Sequence, residues 1–562
     1  MMAQLDVRDA IRKGLLAGVI ALGLSVIGMV EAFDQRDVIT DVFSLGQLLL
    51  FAAPAVVGFL VVKGRDIRAY GPALISGALA GVFAAIPIFL LLMLTLIYPG
   101  LRAQLVNVSP TLIGILTFGS GQIVGGLLLT AVMGVLGLVG ATTHVIPDRI
   151  SDPLVLGVGW TLLIGVLSEV LLNILRPLLP RGVLRFLFGT KGITLVTAVI
   201  LLVLITVGIA WWRAQGRERY QKRIAARSAV QVANARRTSL GAGLLLLLVL
   251  PFILGTYLTE VVDNVGLYVL MGLGLNIVVG FAGLLDLGYV AFFAIGAYMM
   301  GILTSQGDLG VGGISFWLAL PICVATSTIA GIILGTPVLR MRGDYLAIVT
   351  LGFGEIIRVL ATSDLLKPVI GGAQGILQIP KPEIFGFTIL QPQHFYYVIL
   401  ASVFLALFIS SRLRDSRLGR QWMSLREDED VAEAMGIHLV KTKLLAFGIG
   451  AAFSGLAGAI FAARLSSIFP HSFNLLISIN VLSLIIVGGM GSLPGVVVGA
   501  LVLVGLPELL REFAEYRLLL YGALLIAMML RKPDGLWPSP VRRRELKAEE
   551  QEKLMMQAEG LE

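Results

Sequence analysis

Long apolar stretches separated by short polar loops make up most of the chain. A helix needs about 20 apolar residues to cross the hydrocarbon core of a bilayer, which is about 30 Å thick. By this measure the sequence predicts an all-α, polytopic integral membrane protein with about sixteen transmembrane helices, about six before a basic loop at 213–238 and about ten after it. The predicted spans are 14–30, 43–62, 72–98, 111–140, 154–175, 193–212, 241–260, 264–283, 285–303, 316–339, 345–361, 395–411, 444–464, 474–490, 494–510 and 517–530.

The composition agrees with this pattern, because 57% of the 562 residues are hydrophobic and only 14% are charged. Soluble domains carry about a quarter charged residues, so most of this surface requires lipid around it. Lys and Arg concentrate in cytoplasmic loops, which places the basic loop inside, the acidic loop 31–41 outside and both termini in the cytoplasm. The segment 176–191, with four basic residues, is assigned outside by this alternation. Either one span is miscounted or that segment lies along the membrane surface.

The basic loop also marks a boundary between two membrane regions. We predict an N-terminal membrane extension at 1–212, a basic cytoplasmic linker at 213–240, a second membrane region at 241–531 and a charged cytoplasmic tail at 532–562. Glycine is frequent in both regions, and in lipid it typically lets helices pack closely. The role of the extension stays open, with extra packing helices as the simplest interpretation.

The sequence lacks the residues that several kinds of site require. The chain has no Gly-x-x-x-x-Gly-Lys-Ser/Thr loop for a nucleotide phosphate, its four histidines are scattered and predict no metal site, and no catalytic residue or nucleic-acid partner is expected. Ion-driven carriers usually place acids deep within their spans. Asp286 is the best candidate, yet it lies at the junction of two predicted spans. Glu355 and Arg358, three residues apart, are expected to pair near the outer end of one helix.

The polar loop 412–443 contains a predicted amphipathic helix. Ser424, followed by Glu427 three residues later, forms a capping box, and Gly436 is a natural helix stop. The helix is expected to project from the membrane for about three turns. Two interpretations remain open: its apolar side packs on the chain's own membrane region, or it fills a groove in another protein. That apolar side consists of Leu425, Val431, Ala432 and Met435.

Specific motifs follow one another in the second membrane region. They read GLGLNIVVG at 272–280, LGY at 287–289, AIGAY at 294–298, LRMRGDYLAIVTLGFGE at 339–355 and GGMGS at 488–492. Together with the loop helix, and in this order from about residue 241 to 538, they resemble the permeases of branched-chain amino acid ABC importers, specifically the M-type subunit of the leucine/isoleucine/valine system. Two positions depart from the family. GGAQG at 371–375 stands where the family commonly has GGPNG, and Asp286 stands where it usually has an apolar or small polar residue.

The resemblance implies the passive half of an ATP-driven importer in the bacterial cytoplasmic membrane. The implied partners are a second permease subunit, two cytoplasmic ATPase subunits, an extracytoplasmic amino-acid-binding protein and the lipid bilayer. ATP would be used by the partners, and no cofactor is expected on this chain. The loop helix is then expected to be a coupling helix that docks on an ATPase subunit through Leu425, Arg426, Glu427, Val431, Ala432, Glu433, Met435 and Gly436. Candidates for the translocation path are Asn276, Gly280, Gly283, Asp286, Tyr289, Thr350, Gly354 and Glu355.

Other functions remain open from the sequence. Permeases for urea or short amides share the same frame, so the cargo is not fixed by the motifs. An ion-coupled secondary transporter is the alternative of another class, and a membrane scaffold without transport activity is the third.

Overall fold

The computed structural model describes residues 7–64, 69–98, 100–176, 179–216, 219, 229–338, 341, 343–509 and 516–539. Among these residues, eleven helices are long and apolar enough to cross a membrane. The predicted all-α, polytopic fold is confirmed, whereas the number of about sixteen spans stays a prediction. The chain divides into two units, Met1–Gly243 and Leu244–Glu562.

The first unit consists of helices of very different lengths, joined by short turns. A small antiparallel pair, β1 (Asp37–Ile39) and β2 (Phe43–Ser44), lies between its second and third helices. The helices are α1 (Val7–Val26), α2 (Met29–Asp34), α3 (Leu45–Lys63), α4 (Tyr70–Ile97), α5 (Leu101–Gln104), α6 (Pro110–Thr117), α7 (Gln122–Val145), α8 (Asp148–Val166), α9 (Ser168–Leu175), α10 (Arg181–Leu187) and α11 (Leu195–Trp211), followed by a π-helical turn at Trp212–Gly216.

Small residues allow the helices of the first unit to pack closely. α4 packs against α1 and α7, and α3 packs against α7. A side chain at Gly58 would collide with the carbonyl of Gly137, and one at Gly140 would collide with the carbonyl of Ala55. α3 and α7 therefore touch through their backbones, as helices with small faces do in lipid.

Two predicted spans of the first unit are wrong in outline. The stretch 111–140 is divided into α6 and α7, because Phe118 (φ 52°), Gly119 (φ 71°) and Gly121 (φ 80°) leave the helical region. The stretch 154–175 is divided into α8 and α9 at Leu167. The doubtful segment 176–191 contains the short helix α10, and the side of the membrane on which it lies stays a prediction.

The rest of the chain contains one long helical run and several broken helical segments. β3 (Glu383–Ile384) and β4 (Phe387–Thr388) form a short antiparallel hairpin. The helices are α12 (Ala229–Leu275), α13 (Val290–Thr304), α14 (Phe316–Val338), α15 (Asp344–Thr362), α16 (Lys367–Ile370), α17 (Pro392–Arg414), α18 (Arg417–Glu427), α19 (Glu429–Ala434), α20 (Leu439–Leu465), α21 (Leu475–Gly488), α22 (Leu493–Ala500), α23 (Leu506–Leu509) and α24 (Arg517–Arg531), with π turns at Asn276–Phe281 and Leu501–Gly505 and 3-10 turns at Gly372–Gln374 and Pro470–Ser472.

Several predicted span boundaries in this part are also wrong. The predicted break between the spans 241–260 and 264–283 does not exist; the run instead breaks at Gly255, whose φ of 68° is favourable for glycine. The predicted span 285–303 begins only at Val290, because residues 282–289 form a non-helical loop. The predicted span 494–510 consists of α22, a π turn and α23.

The core of the second unit is built around α20, against which α13 and α14 pack. A side chain at Gly458 of α20 would collide with the carbonyl of Phe293 on α13, and one at Gly296 of α13 would collide with Gly455 on α20. These helices therefore approach each other at backbone distance, as the abundance of glycine in the sequence predicts. Because α20 is held by α13 and α14, the loops that precede and follow it are held in position as well.

Some predictions lie outside the described residues. Residues 217–218 and 220–228 of the predicted linker 213–240 are among them, as are Arg340, Arg342 and the tail from residue 540 onward. The predicted domain limits stay predictions.

Candidate functional site

The loop between α17 and α20 folds into two short helices, α18 and α19. Ser416 caps α18, because its Oγ accepts a hydrogen bond from the nitrogen of Gly419 at 3.2 Å. Asp428 caps α19, with its Oδ1 accepting from the nitrogens of Asp430 at 2.9 Å and Val431 at 3.0 Å. The prediction of a single helix here is therefore wrong: the loop forms a pair of helices separated by Asp428, whose backbone is extended.

The predicted capping box at Ser424 and Glu427 is wrong. Ser424 lies inside α18, where its Oγ donates a hydrogen bond to the carbonyl of Arg420 at 3.1 Å. The helix begins earlier because Leu418 and Trp422 extend the apolar stripe of Leu425 by two turns toward the N-terminus. Trp422 is fully buried.

Gly436 ends α19 as a helix stop. It has a φ of 84°, its nitrogen donates to the carbonyl of Glu433 at 2.9 Å, and the nitrogen of Ile437 donates to the carbonyl of Ala432 at 3.1 Å. This pair of hydrogen bonds is a Schellman motif, which favours glycine at the left-handed position.

The predicted apolar stripe of the loop helix is split between two environments. Leu425 and Ala432 are buried against the second unit, each only 2% exposed. Val431 and Met435, in contrast, are 59% and 80% exposed. Packing on the chain's own membrane region is thus confirmed for Leu425 and Ala432, whereas docking of Val431 and Met435 in a groove of another protein stays a prediction.

Polar contacts fasten this helix pair to the start of α20. Trp422 Nε1 donates to the carbonyl of Thr442 at 2.9 Å. Lys443, whose side chain is only 3% exposed, forms an ion pair with Glu429 at 2.8 Å. A buried cation with a direct carboxylate partner strongly restricts where α19 can lie.

Arg426 extends the attachment to the π turn that follows α12. Its Nη1 donates to the carbonyl of Gly280 at 2.7 Å, and Gly283 (φ 72°) lies so close that a Cβ would meet the Arg426 side chain. Asn276, at the start of the same π turn, accepts a hydrogen bond from the nitrogen of Gly491 at 2.8 Å through its Oδ1. Arg426 and three of the predicted path residues therefore form one connected group.

Asp286 lies in the loop 282–289 and is fully buried. Its Oδ1 accepts from the nitrogen of Gly288 at 3.0 Å, while Oδ2 is buried with no hydrogen-bond partner among the described residues. The nitrogen of Leu287 donates to Thr350 Oγ1 at 3.0 Å, and a side chain at Gly288 would collide with the carbonyl of Thr350. The loop thus lies directly on α15.

Tyr289 fixes the other end of this loop. Its hydroxyl donates to the carbonyl of Gly450 on α20 at 2.7 Å, and the nitrogen of Val290 donates to Ser478 Oγ at 2.9 Å. Gly354 touches Gly288 from α15. The structure therefore brings Asp286, Tyr289, Thr350 and Gly354 together around one interrupted helix.

Glu355 does not join that group. Its carboxylate faces outward on α15 and binds Arg358, with Nε at 2.9 Å and 3.0 Å from the two carboxylate oxygens. The predicted pairing of Glu355 with Arg358 is confirmed. Whether the predicted path and coupling residues act as such stays a prediction.

A second polar cluster, at the far end of α20, is absent from the sequence interpretation. Arg464 Nη1 donates to Asn264 Oδ1 at 2.6 Å, and Arg464 also lies 3.4 Å from the carboxylate of Glu260 and 3.9 Å from that of the fully buried Asp263. The sequence interpretation placed a loop at 261–263. The signal that it missed is the lack of glycine and proline from 256 to 264, in contrast to Pro251 and Gly255 just before.

Metal ligands are not grouped in the part of the chain that the structure describes. No set of three or more His, Cys, Asp or Glu side chains there could hold a metal ion.

The second unit is similar to known transport proteins. A family model described as "Branched-chain amino acid transport system / permease component" matches residues 257–529. The chain is 42% identical over 311 residues to the high-affinity branched-chain amino acid transport system permease protein LivM of Salmonella typhimurium, and it is equally identical to LivM of Escherichia coli K12. Each alignment covers 51% of this chain and 72% of the relative. It is 25% identical to the probable LivM of Methanocaldococcus jannaschii over 319 residues, covering 49% of this chain and 91% of that protein. No solved structure shows significant similarity to the chain.

Proposed function

The chain belongs to the family of branched-chain amino acid transport permeases, and from this premise we propose that it is the M-type permease subunit of an importer for leucine, isoleucine, valine or related amino acids. The relatives are transport subunits. We extend this to a chain that has no ATPase site of its own and binds no cofactor. ATP is hydrolysed by two partner subunits on the cytoplasmic side.

The observation that carries the proposal is the divided stripe of the helix pair α18–α19. Val431 and Met435 are exposed on a segment that lies outside the spans, while Leu425 and Ala432 hold that segment in place. Exposed apolar side chains on an anchored helix are typical of a helix that fills a groove in a partner. We assign that groove to an ATPase subunit, with Glu427 and Glu433 on the exposed sides of the pair.

The contacts behind the helix pair suggest how motion reaches the membrane core. Arg426 holds the carbonyl of Gly280, and the same π turn is tied through Asn276 to Gly491. A displacement of the helix pair by the ATPase therefore pulls on the π turn and on the loop 282–289 that follows it. Interrupted helices in transporters typically form the substrate or ion site around which the rest of the protein moves.

Both the sidedness and the remaining partners belong to the proposal. α20 has 27 residues and is therefore about 40 Å long, enough to cross a membrane. Its first residues adjoin α19, so the loop with the β3–β4 hairpin lies at the other end, where Ile376 pairs with Ile468. We place the helix pair and both termini in the cytoplasm and the hairpin on the side of the amino-acid-binding protein. A second permease subunit completes the pathway in the bacterial cytoplasmic membrane.

The proposal is tested by replacing Val431 and Met435 with Asp in the complete importer. The double variant is expected to lose at least tenfold in ATPase-subunit affinity, since charges would enter an apolar groove. Affinity is measured by co-purification and by titration of ATPase subunits into proteoliposomes. Phe385→Asp is the control, because Phe385 is also apolar and is even more exposed but lies at the tip of the hairpin. Unchanged ATPase binding in the double variant would contradict the docking surface.

Two alternatives have their own tests. Urea or short amides as cargo predict that these compounds compete with leucine for uptake. An ion-coupled carrier is favoured by one observation: Asp286 Oδ2 is buried and has no hydrogen-bond partner in the described part of the chain. That function predicts uptake by this chain alone, driven by a proton or sodium gradient. The ABC function predicts uptake only with ATP and all partner subunits.

A further inference from the structure

The β3–β4 hairpin ends in exposed apolar side chains. The pairing of Ile384 with Phe387 leaves Phe385 and Gly386 as a two-residue turn. From 384 to 390 the sequence reads IFGFTIL and contains no charged residue. Phe385 is fully exposed, and Ile384, Phe387 and Leu390 are exposed as well. We call these four side chains the hairpin tip.

The conformation of the turn does not account for the phenylalanine at its first position. Phe385 and Gly386 have φ values of 48° and 83°, as in a type I′ turn, where Asn, Asp or Gly is usual and a bulky side chain is unfavourable. Because Phe385 is fully exposed, packing within the described part of the chain does not offset this cost. A strained residue that the fold itself does not require points to a contact outside the chain.

The hairpin is attached to the ends of two membrane-spanning helices. Trp317 Nε1, in the first turn of α14, donates a hydrogen bond to the carbonyl of Glu383 at 2.9 Å. The ring of Phe387 packs edge-on against His394 in the first turn of α17, with ring centres 5.0 Å apart. Both helices are long and apolar enough to cross a membrane. The hairpin therefore lies at the level where two spans leave the bilayer, and tryptophan is enriched at this level.

The same two helices present apolar side chains to the outside along their length. Spacings of three, four or seven residues place these side chains on one side of each helix. They are Leu318, Ile322, Ile329 and Ile333 on α14, and Phe404, Leu405 and Phe408 on α17. An apolar side of this length on a membrane-spanning helix is suited to lipid. The hairpin tip thus adjoins surfaces that already face the bilayer.

We propose that the hairpin tip inserts into the interfacial layer of the bilayer, with the Phe385 ring at the boundary between head groups and acyl chains. Aromatic rings are favoured in this layer, and burial of exposed apolar side chains there is favourable. The inference requires only that α14 and α17 span the membrane, so it holds for any cargo.

The composition of the tip favours lipid over a soluble partner such as the amino-acid-binding protein. A surface that binds and releases a soluble protein is about as polar as the rest of the protein surface. The segment 384–390, in contrast, carries no charge, and its one polar side chain is Thr388.

Insertion of the tip also has a mechanical consequence for the loop behind it. The loop pairs with the end of α20 through Ile376 and Ile468, and Lys381 donates to the carbonyl of Arg464. A tip held in lipid would therefore keep the segment 376–391 pressed on the end of α20 and at a fixed height relative to the membrane.

The first experiment places a nitroxide label at Phe385→Cys in the complete importer in liposomes. Cys323→Ala removes the one native cysteine, so the label attaches at a single position. Collision rates of the label are measured with oxygen, which concentrates in lipid, and with a water-soluble nickel complex. The control is Asp308→Cys, an exposed position in the loop before α14. The oxygen-to-nickel ratio is expected to be at least about fivefold higher at 385 than at 308, because a polar complex enters an apolar layer poorly.

Two outcomes of this experiment would overturn the proposal. Equal ratios at 385 and 308 would show that the tip lies in water. Low collision rates with both reagents at 385, with or without the amino-acid-binding protein, would show that a protein covers the tip instead of lipid.

The second experiment tests the Phe385 ring itself with a label at Leu390→Cys. Phe385→Asn removes the ring but suits the left-handed turn, so the hairpin stays formed. Phe385→Leu is the matched control, because it keeps an apolar tip. The oxygen-to-nickel ratio at 390 is expected to fall by about twofold or more in the Asn variant and to change less in the Leu variant. An unchanged ratio in Phe385→Asn would overturn the role of the ring in holding the hairpin in the bilayer.

Discussion

The two ends of α20 are held by buried cations in different ways. At the start of the helix, Lys443 pairs with Glu429 and thereby fastens α19. At the end, Arg464 reaches Asn264, Glu260 and Asp263, all on α12. The first cation attaches a helix pair that presents apolar side chains to the outside. The second attaches one long helix to another. The start of α20 thus holds the helix pair α18–α19, and we call this contact the mounting; the end of α20 is attached to α12, and we call this contact the fixed joint.

The loop packed at the end of α20 strengthens this joint. Ile376 and Ile468 exchange backbone hydrogen bonds at 3.0 Å and 2.8 Å, and the ammonium group of Lys381 donates to the carbonyl of Arg464. The ammonium group also lies 5.1 Å from the ring centre of Phe395. Burial lowers the pKa of Lys381, and the nearby charge of Arg464 lowers it further. Two cations can stay close here because acceptors on α12 and backbone carbonyls surround them.

The largest expected effect comes from breaking the fixed joint with Arg464→Met. Asp263 would remain buried without a cation, so the free energy of unfolding should fall by about 3–5 kcal/mol. Unfolding in mixed micelles followed by fluorescence measures this change. Adding Asp263→Asn to the variant should recover part of the loss, because the unpaired charge is then removed. A loss below about 1 kcal/mol would mean that the joint is not fixed by this cation.

A smaller effect is expected at the mounting from Lys443→Met. Glu429 is 20% exposed, so water partly replaces the lost cation, and the loss of stability should be about 2 kcal/mol. Hydrogen exchange should rise in α18 and α19 more than in the rest of the second unit. Lys441→Met is the control, since Lys441 is exposed and two residues away. Equal exchange in both variants would show that the ion pair does not hold the helix pair.

The smallest effect is expected at Gly436, which ends α19 at a φ of 84°. A side chain there meets no neighbour, so only the backbone conformation opposes it. Gly436→Val should cost about 1–3 kcal/mol and lower ATP-driven uptake, whereas Gly436→Asn should cost less because Asn tolerates the left-handed region. Thermal unfolding and uptake of the two variants separate these outcomes. Identical stability and uptake of the Gly436→Val and Gly436→Asn variants would contradict the expectation that the left-handed backbone at position 436 limits which residues fit there.

The sequence predicts the helical fold and the presence of helix in the loop 412–443 because apolar period and composition are local signals. Gly436 is predictable for the same reason, since a helix stop needs only one residue type at one position. The sequence does not predict the break at Asp428 that divides this loop into α18 and α19. The start of α18 at Arg417 is not predictable from the sequence. Leu418 and Trp422 are recognisable as part of its apolar side only once they pack on the second unit.

The position of Asp263 shows a further limit of prediction from sequence. Charged residues between two apolar stretches suggest a loop, yet the helix continues through Asp263 because Arg464, 201 positions along the chain, supplies its charge partner. Such a contact depends on tertiary packing. No local pattern around residue 263 contains it.

The π turn Asn276–Phe281 has a consequence for the length of the helix that it ends. The nitrogen of Ala282 donates to the carbonyl of Ile277, five residues back, so this turn contains one residue more than an α-helical turn would. Tightening it to an α-helical turn would turn the following backbone by about 100° around the axis and change its height by about one residue. Tightening the π turn would therefore pass one residue into the loop that contains Asp286, and re-forming the turn would withdraw it. The length of α12 would be the same in both states.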